Sequence, residues 1–167
     1  MNSNVEVTEL QPADWQRLRS LRLESLADSP HAYGASHEVE SELSQDAWLE
    51  RMAKAKYFAA SIDDNDCAIM SVEELDGDFG ANIWLGGCWV NPDVRGTGVM
   101  KAMIDFIDSV AFDRGWQCQG LGVWHDNHPA IAAYERLGFE AKGDLQESSR
   151  KPGLFFQRMI RHTKIGV

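Results

Sequence analysis

Three groups of residues have the types and spacing to do chemistry. The first is Arg95-Gly96-Thr97-Gly98, followed at once by Val99-Met100-Lys101 and an apolar run at helical spacing. A glycine-bearing turn that opens a helix is a ready anion site. The first N–H groups of a helix have no internal partner and carry the positive end of its dipole. Glycine lets those amides approach a phosphate with no side chain between them. Arg95 adds a charge that does not titrate away. The second group is His125-Asp126-Asn127-His128, with Tyr134 further on. The third is the pair Glu73 and Glu74, on the strand candidate that precedes segment 82–90, which has no carboxylate of its own.

Several chemistries are excluded by spacing. A Walker loop requires GxxxxGK[ST], which the chain lacks. A dinucleotide fingerprint requires a third glycine where Lys101 stands, and it opens on a first strand rather than mid-chain. His125 and His128 lack the i, i+4 spacing of a helical metal pair, and no cysteine or third histidine clusters with them, so no metal is expected. Those residues read better as a strand end and a helix cap.

These groups need elements to hold them. Residues 5–10 alternate as a strand. Pro12 opens a helix with Trp15, Leu18, Leu21 and Leu26 on one stripe, stopped by Pro and Gly within 28–34. Ser44 caps a second helix running to about Lys54. Strands follow at 56–62, 67–75 and 82–90, separated by polar turns as in antiparallel hairpins. Val99, Met103, Phe106, Ile107 and Val110 define a helical face that ends near Asp113, with Gly115 closing it. Residues 117–124 form a strand, and Pro129 to Leu137 a helix ended by Gly138. Two last strands fall near 139–142 and 153–161. The order β-α-α-β-β-β-α-β-α-β-β predicts one α/β domain over residues 1–167 with a mixed, largely antiparallel sheet.

The totals narrow the partners. The chain has 167 residues with 44% hydrophobic and 25% charged side chains, enough to bury a core without staples. A net charge of −10 repels phosphate backbones, so no nucleic-acid partner is expected, and cationic small molecules or basic peptides are favoured. No run of apolar residues suffices for a membrane span, and the first residues lack the basic and apolar regions of a signal peptide. Cys67, Cys88 and Cys118 are widely spaced, which fits a reducing cytoplasm.

The stretch Val90 to Met100 and the pattern N-x-x-A-x-x-x-Y-x-x-x-G-F at 127–139 together resemble the GNAT N-acetyltransferase superfamily. The two motifs cover residues 88–139 in the family's order. The resemblance implies a fold in which two neighbouring parallel strands, here 82–90 and 117–124, splay into a V-shaped cleft for acetyl-CoA. It implies that Arg95, Gly96, Thr97, Gly98, Val99, Met100 and Lys101 bind the pyrophosphate. Cys88, Trp89 and Val90 would line the pantetheine arm, an amide near Cys88 would polarise the acetyl carbonyl, and Asn127 would touch pantetheine. Met100 departs from the Gly or Ala usual at its position, although its amide is retained. Tyr134 matches the family's proton donor to the leaving thiolate, while its spacing with Ala130, Ala133 and Leu137 also suits a core tyrosine.

The family's strand carboxylate is missing, so Glu73 or Glu74, or an ordered water, is the expected base. At most one of the two glutamates faces the cleft, because they alternate faces. Residues 29–42 resemble a loop that shapes the acceptor site, which makes His31, Tyr33, Glu38 and Glu40 substrate candidates, with Trp84, Trp89 and Trp124 as ring surfaces for a cation. The expected activity is acetyl transfer to a primary amine, small molecule or peptide, by a cytoplasmic monomer or homodimer. The rival expectation is a non-catalytic acyl-CoA sensor or partner-binding module.

Overall fold

The computed structural model describes residues 4–30 and 35–164. The chain divides into two compact units, Met1–Glu73 with Gly87–Ile107, and Glu74–Gly86 with Asp108–Val167.

The first unit contains β1 (Val5–Glu9), a 3-10 turn at Pro12–Asp14, α1 (Trp15–Asp28), α2 (His37–Ser41), α3 (Gln45–Lys54), β2 (Lys56–Ile62), nearly all of β3 (Asn65–Glu74), the second half of β4 (Ile83–Val90) and the start of α4 (Val99–Arg114). Ser44 caps α3 by accepting the Ala47 N–H at 3.2 Å, as its position before the helix predicts. The β2–β3 hairpin turns through Asp63 and Asp64, both left-handed with φ of +50° and +63°, a turn whose twist matches that of the strands it joins. Its register sets Tyr57 opposite Ser71. Leu18 and Leu21 of α1 close over Trp48, Ala59, Ile69 and Trp89 to make this unit's core.

The second unit holds the first half of β4, the end of α4, β5 (Cys118–Trp124), α5 (His128–Arg136), β6 (Glu140–Ala141), β7 (Gln146–Glu147) and β8 (Phe155–His162). β4 and β5 are parallel, and their ladder holds just two pairs, Ile83↔Gln119 and Trp84↔Gly120. β8 runs antiparallel to β5 from Cys118↔His162 to Trp124↔Phe156. The eight strands make a mixed, mostly antiparallel sheet with β4–β5 as its parallel pair, flanked by helices. No helix among the described residues is long and apolar enough to cross a membrane.

Two elements correct the expected order. A short helix, α2, occupies part of the segment read as a loop, so the helix capped by Ser44 is the third rather than the second. A further strand, β7, pairs with β8 through Gln146 and Glu147; two polar residues carry no alternation to read.

Gly120 on β5 has a packing role. A Cβ there would lie 2.6 Å from Phe79 Cζ and 2.9 Å from Ala81 Cβ, so an aromatic ring fills the space of a side chain. Gly120→Ala is expected to cost about 1–3 kcal/mol through overpacking, which urea unfolding would measure. A cost near zero would mean that Phe79 simply swings aside.

Candidate active site

The glycine turn has the conformation the sequence asks for. Gly96 and Gly98 are left-handed, with φ of +78° and +91°, and nothing lies within 4 Å of where a Cβ would sit on either. Thr97 is pinned by its own hydroxyl, which donates to the Val94 carbonyl at 2.6 Å. Helix α4 starts at Val99, and Gly98 already accepts the Ala102 N–H at 3.0 Å. The amides of Val99, Met100 and Lys101 are therefore the partnerless N–H groups of a first turn. Met100 is half-buried with its backbone in place. The Lys101 ammonium turns away to Asp105 at 2.7 Å.

The Arg95 side chain is engaged within the protein. Its Nη2 donates to Asp28 Oδ2 at 2.8 Å and its Nε to the Val90 carbonyl at 2.9 Å. The same Asp28 oxygen accepts Trp89 Nε1 at 2.9 Å and the Ser29 hydroxyl at 2.7 Å. Hydrogen bonds from Trp89 and Ser29, followed by the charge of Arg95, hold this carboxyl below its usual range. Asp28 thus ties the end of α1 to β4 and to the glycine turn. Sequence reasoning missed it, because no local pattern links residues 61 and 67 positions apart.

Strand β4 runs unbroken from Ile83 to Val90, but Gly87 within it has a left-handed φ of +56°. Consecutive glycines inside a strand signal such a local departure. A Cβ on Gly87 would lie 3.2 Å from Arg22 Nη1, so the guanidinium packs on bare backbone. Cys88 and Val90 are half-buried and Trp89 buried.

Arg22 in turn grips Glu40 through Nε at 3.1 Å and Nη2 at 3.2 Å, and Arg51 Nη1 reaches the same carboxylate at 2.6 Å. Glu40 is 3% exposed, so this substrate candidate has its oxygens committed to guanidinium groups. Burial pushes its carboxyl up, yet the hydrogen bonds and charges of Arg22 and Arg51 outweigh that and hold it low. A carboxyl held low contributes stability that is full above its ordinary value of 4.5 and is lost as pH falls through the folded value. Glu40→Gln should flatten that acid limb in urea unfolding from pH 7 to pH 3. An unchanged acid limb would contradict the pairing.

On the second unit, α5 carries Tyr134. Asn127 caps the helix by accepting the Ala130 N–H at 3.3 Å, and Pro129 sits in the first turn. The Asn127 amide nitrogen has no partner among the described residues. Tyr134 is half-buried, and its ring meets Phe139 edge-on at 5.8 Å. The Phe139 N–H closes the helix end on the Tyr134 carbonyl at 3.0 Å. Both the core contact and the motif position are therefore present in one residue.

The structure separates the two candidate bases. Glu74 accepts the Trp116 indole N–H at 3.1 Å. Glu73 has no hydrogen-bond partner among the described residues. It shares a strand face with Ser71, opposite Tyr57. Of the remaining acceptor candidates, Glu38 is exposed and Trp84 half-buried, edge-on to Phe79 at 5.9 Å. Trp124 carries the Lys151 ammonium 6.0 Å above its ring. His31 and Tyr33 lie outside the described residues.

A family model described as the Acetyltransferase (GNAT) family matches residues 15–139, which include the glycine turn, β4 and the α5 motif. The chain belongs to this family. Among curated relatives, an acetyltransferase of Sodalis glossinidius is 38% identical over 70 residues. That match takes in 42% of this chain and 47% of the relative, about half the relative's length. Solved structures share the fold at low identity. Spermidine N-acetyltransferase from Vibrio cholerae, in complex with CoA and spermine, aligns with a TM-score of 0.71 at 17% identity over 97% of both chains. The ribosomal-protein-S18-alanine N-acetyltransferase from Escherichia coli aligns with 0.67 at 15% identity, covering 98% of this chain and 97% of that one.

Proposed function

We propose that the protein transfers an acetyl group from acetyl-CoA directly to a primary amine. The observation that carries this reading is the turn at Gly96 and Gly98, left-handed and open at both Cβ positions, directly before the partnerless amides of α4 in a GNAT-family chain. That cradle suits a pyrophosphate, and acetyl-CoA supplies the activated acyl group.

Each chemical need has a candidate residue. The amides of Val99, Met100 and Lys101 hold negative charge by dipole and hydrogen bond, without any titrating group. Backbone groups of Cys88 and Val90 would run along the pantetheine arm, and Asn127 is the further residue we assign to it. The left-handed φ of Gly87 marks the point on β4 beside which we place the donor to the charge that develops on the acetyl oxygen. Glu73 is the base we favour, because it has no hydrogen-bond partner among the described residues, whereas Glu74 is engaged by Trp116. Tyr134 is the proton donor to the departing thiolate. No covalent enzyme intermediate is needed.

The test is calorimetric titration with acetyl-CoA, using NAD as the control ligand. Micromolar binding of acetyl-CoA alone is expected. Absence of binding would remove the cradle assignment. Within this reading, Glu73→Gln is expected to lower turnover more than tenfold near neutral pH, with less loss as pH rises and the amine deprotonates itself. Equal turnover would hand the role to water.

A further inference from the structure

We infer that the acceptor amine also carries a carboxylate, as an amino acid does, and that Tyr57, Glu73 and the Arg22–Glu40–Arg51 cluster form the subsite that selects it. This rests on the acetyl-transfer reading above and names the class of its acceptor.

The subsite is built on one sheet face of the first unit. Tyr57 on β2 stands opposite Ser71 on β3, and Glu73 follows Ser71 on the same face. The Asn91 N–H donates to the Cys67 carbonyl at 2.7 Å. Ser71 lies on β3 and Gly87 on β4, and these two strands are neighbours in the sheet. Arg22 lies on Gly87 and also acts electrostatically on Tyr57, so Tyr57 and the left-handed residue of β4 share a neighbour.

Three features of this lining point to a ligand. The Tyr57 hydroxyl has no hydrogen-bond partner among the described residues, although the residue is half-buried. Burial pushes that hydroxyl up, so it stays a donor at neutral pH. Arg51 donates to Glu40 through Nη1 and lies 4.8 Å over the Trp48 ring. Its other N–H groups have no partner among the described residues. Glu73, which is exposed, likewise has no hydrogen-bond partner among the described residues. Arg51, Arg22, Glu40 and Glu73 all act electrostatically on Tyr57.

The charges are separated in a useful way. Glu40 is saturated by guanidinium groups, which leaves the cluster one positive charge in excess. Glu73 presents the opposite sign. An ammonium beside Glu73 and a carboxylate on Arg51, with the Tyr57 hydroxyl as a further donor to that carboxylate, satisfies every group. A polyamine would bring a second cation against two arginines. The local lining thus outweighs the acidic total of the chain.

The experiment measures CoA release with amino acids, the matching amino-acid amides and spermidine. The expected kcat/KM ratio of acid to amide is about tenfold or more. Tyr57→Phe should raise KM for the acid severalfold and leave acetyl-CoA affinity unchanged. Arg51→Gln should bring the acid-to-amide ratio toward one, a readout independent of how much protein is folded. A wild-type ratio at or below one, a preference for spermidine, or a ratio unmoved in both variants would overturn the inference while leaving acetyl transfer intact. If acetyl-CoA binds and no amine in the set is acetylated, the transfer reading fails and takes this inference with it.

Discussion

Replacing Tyr134 with Phe is expected to lower kcat about a hundredfold, the usual scale for losing one positioned proton donor. Affinity for acetyl-CoA should not change, because the proposed cradle is the amide turn at residues 96–101. The fold should also tolerate the change. The Tyr134 ring meets Phe139 edge-on, a contact that phenylalanine keeps. A fall in kcat with an unchanged dissociation constant separates a proton donor from a core residue. Turnover equal to wild type would reduce Tyr134 to packing.

The largest expected stability effect lies in the second unit. Arg161 on β8 is 4% exposed and forks onto Asp108 at 2.8 and 2.7 Å. Its Nε donates to the Leu137 carbonyl at 3.0 Å, which closes the end of α5. Gln119 joins the network by donating to Asp108 at 3.0 Å. Arg161→Met would leave a nearly buried carboxylate without its cation and a helix end without its cap. A cost of about 3–5 kcal/mol is expected, and about 2–4 °C of melting temperature per kcal/mol. Asp108→Leu added to Arg161→Met should recover part of the loss, because both charges are then gone. A single substitution costing under about 1 kcal/mol would show the network to be idle.

The elements that carry the candidate site were legible because local signals specify them. Ser44, Pro129, Gly115 and Gly138 mark helix ends by their own chemistry, and the glycines at 96 and 98 announce a left-handed turn. Helix α2 was not legible for the reverse reason. Its buried residue is Glu40 and its apolar residue, Val39, is 67% exposed. Apolar periodicity inverts there, since a carboxylate can be buried once two arginines neutralise it, and those arginines come from α1 and α3.

The connections that shape the site were beyond local reading. Asp28 to Trp89, Asp28 to Arg95 and Asp108 to Arg161 each join residues 53 or more positions apart. Alternation showed that Glu73 and Glu74 face opposite ways but not which is engaged, a choice that Trp116 makes. The arginine of the turn was expected to serve the phosphate by its charge. In the structure its guanidinium is paired with Asp28, and the proposed anion donors are the backbone amides.

The central claim is amine-dependent acetyl transfer. The most direct measurement is release of free CoA thiol from acetyl-CoA, followed with and without added primary amines, with the acetylated product identified by mass. The account predicts slow release alone and release accelerated at least tenfold by an amine, with the acetyl group recovered on it. Binding of acetyl-CoA that no amine accelerates would contradict it and mark the protein as an acyl-CoA sensor.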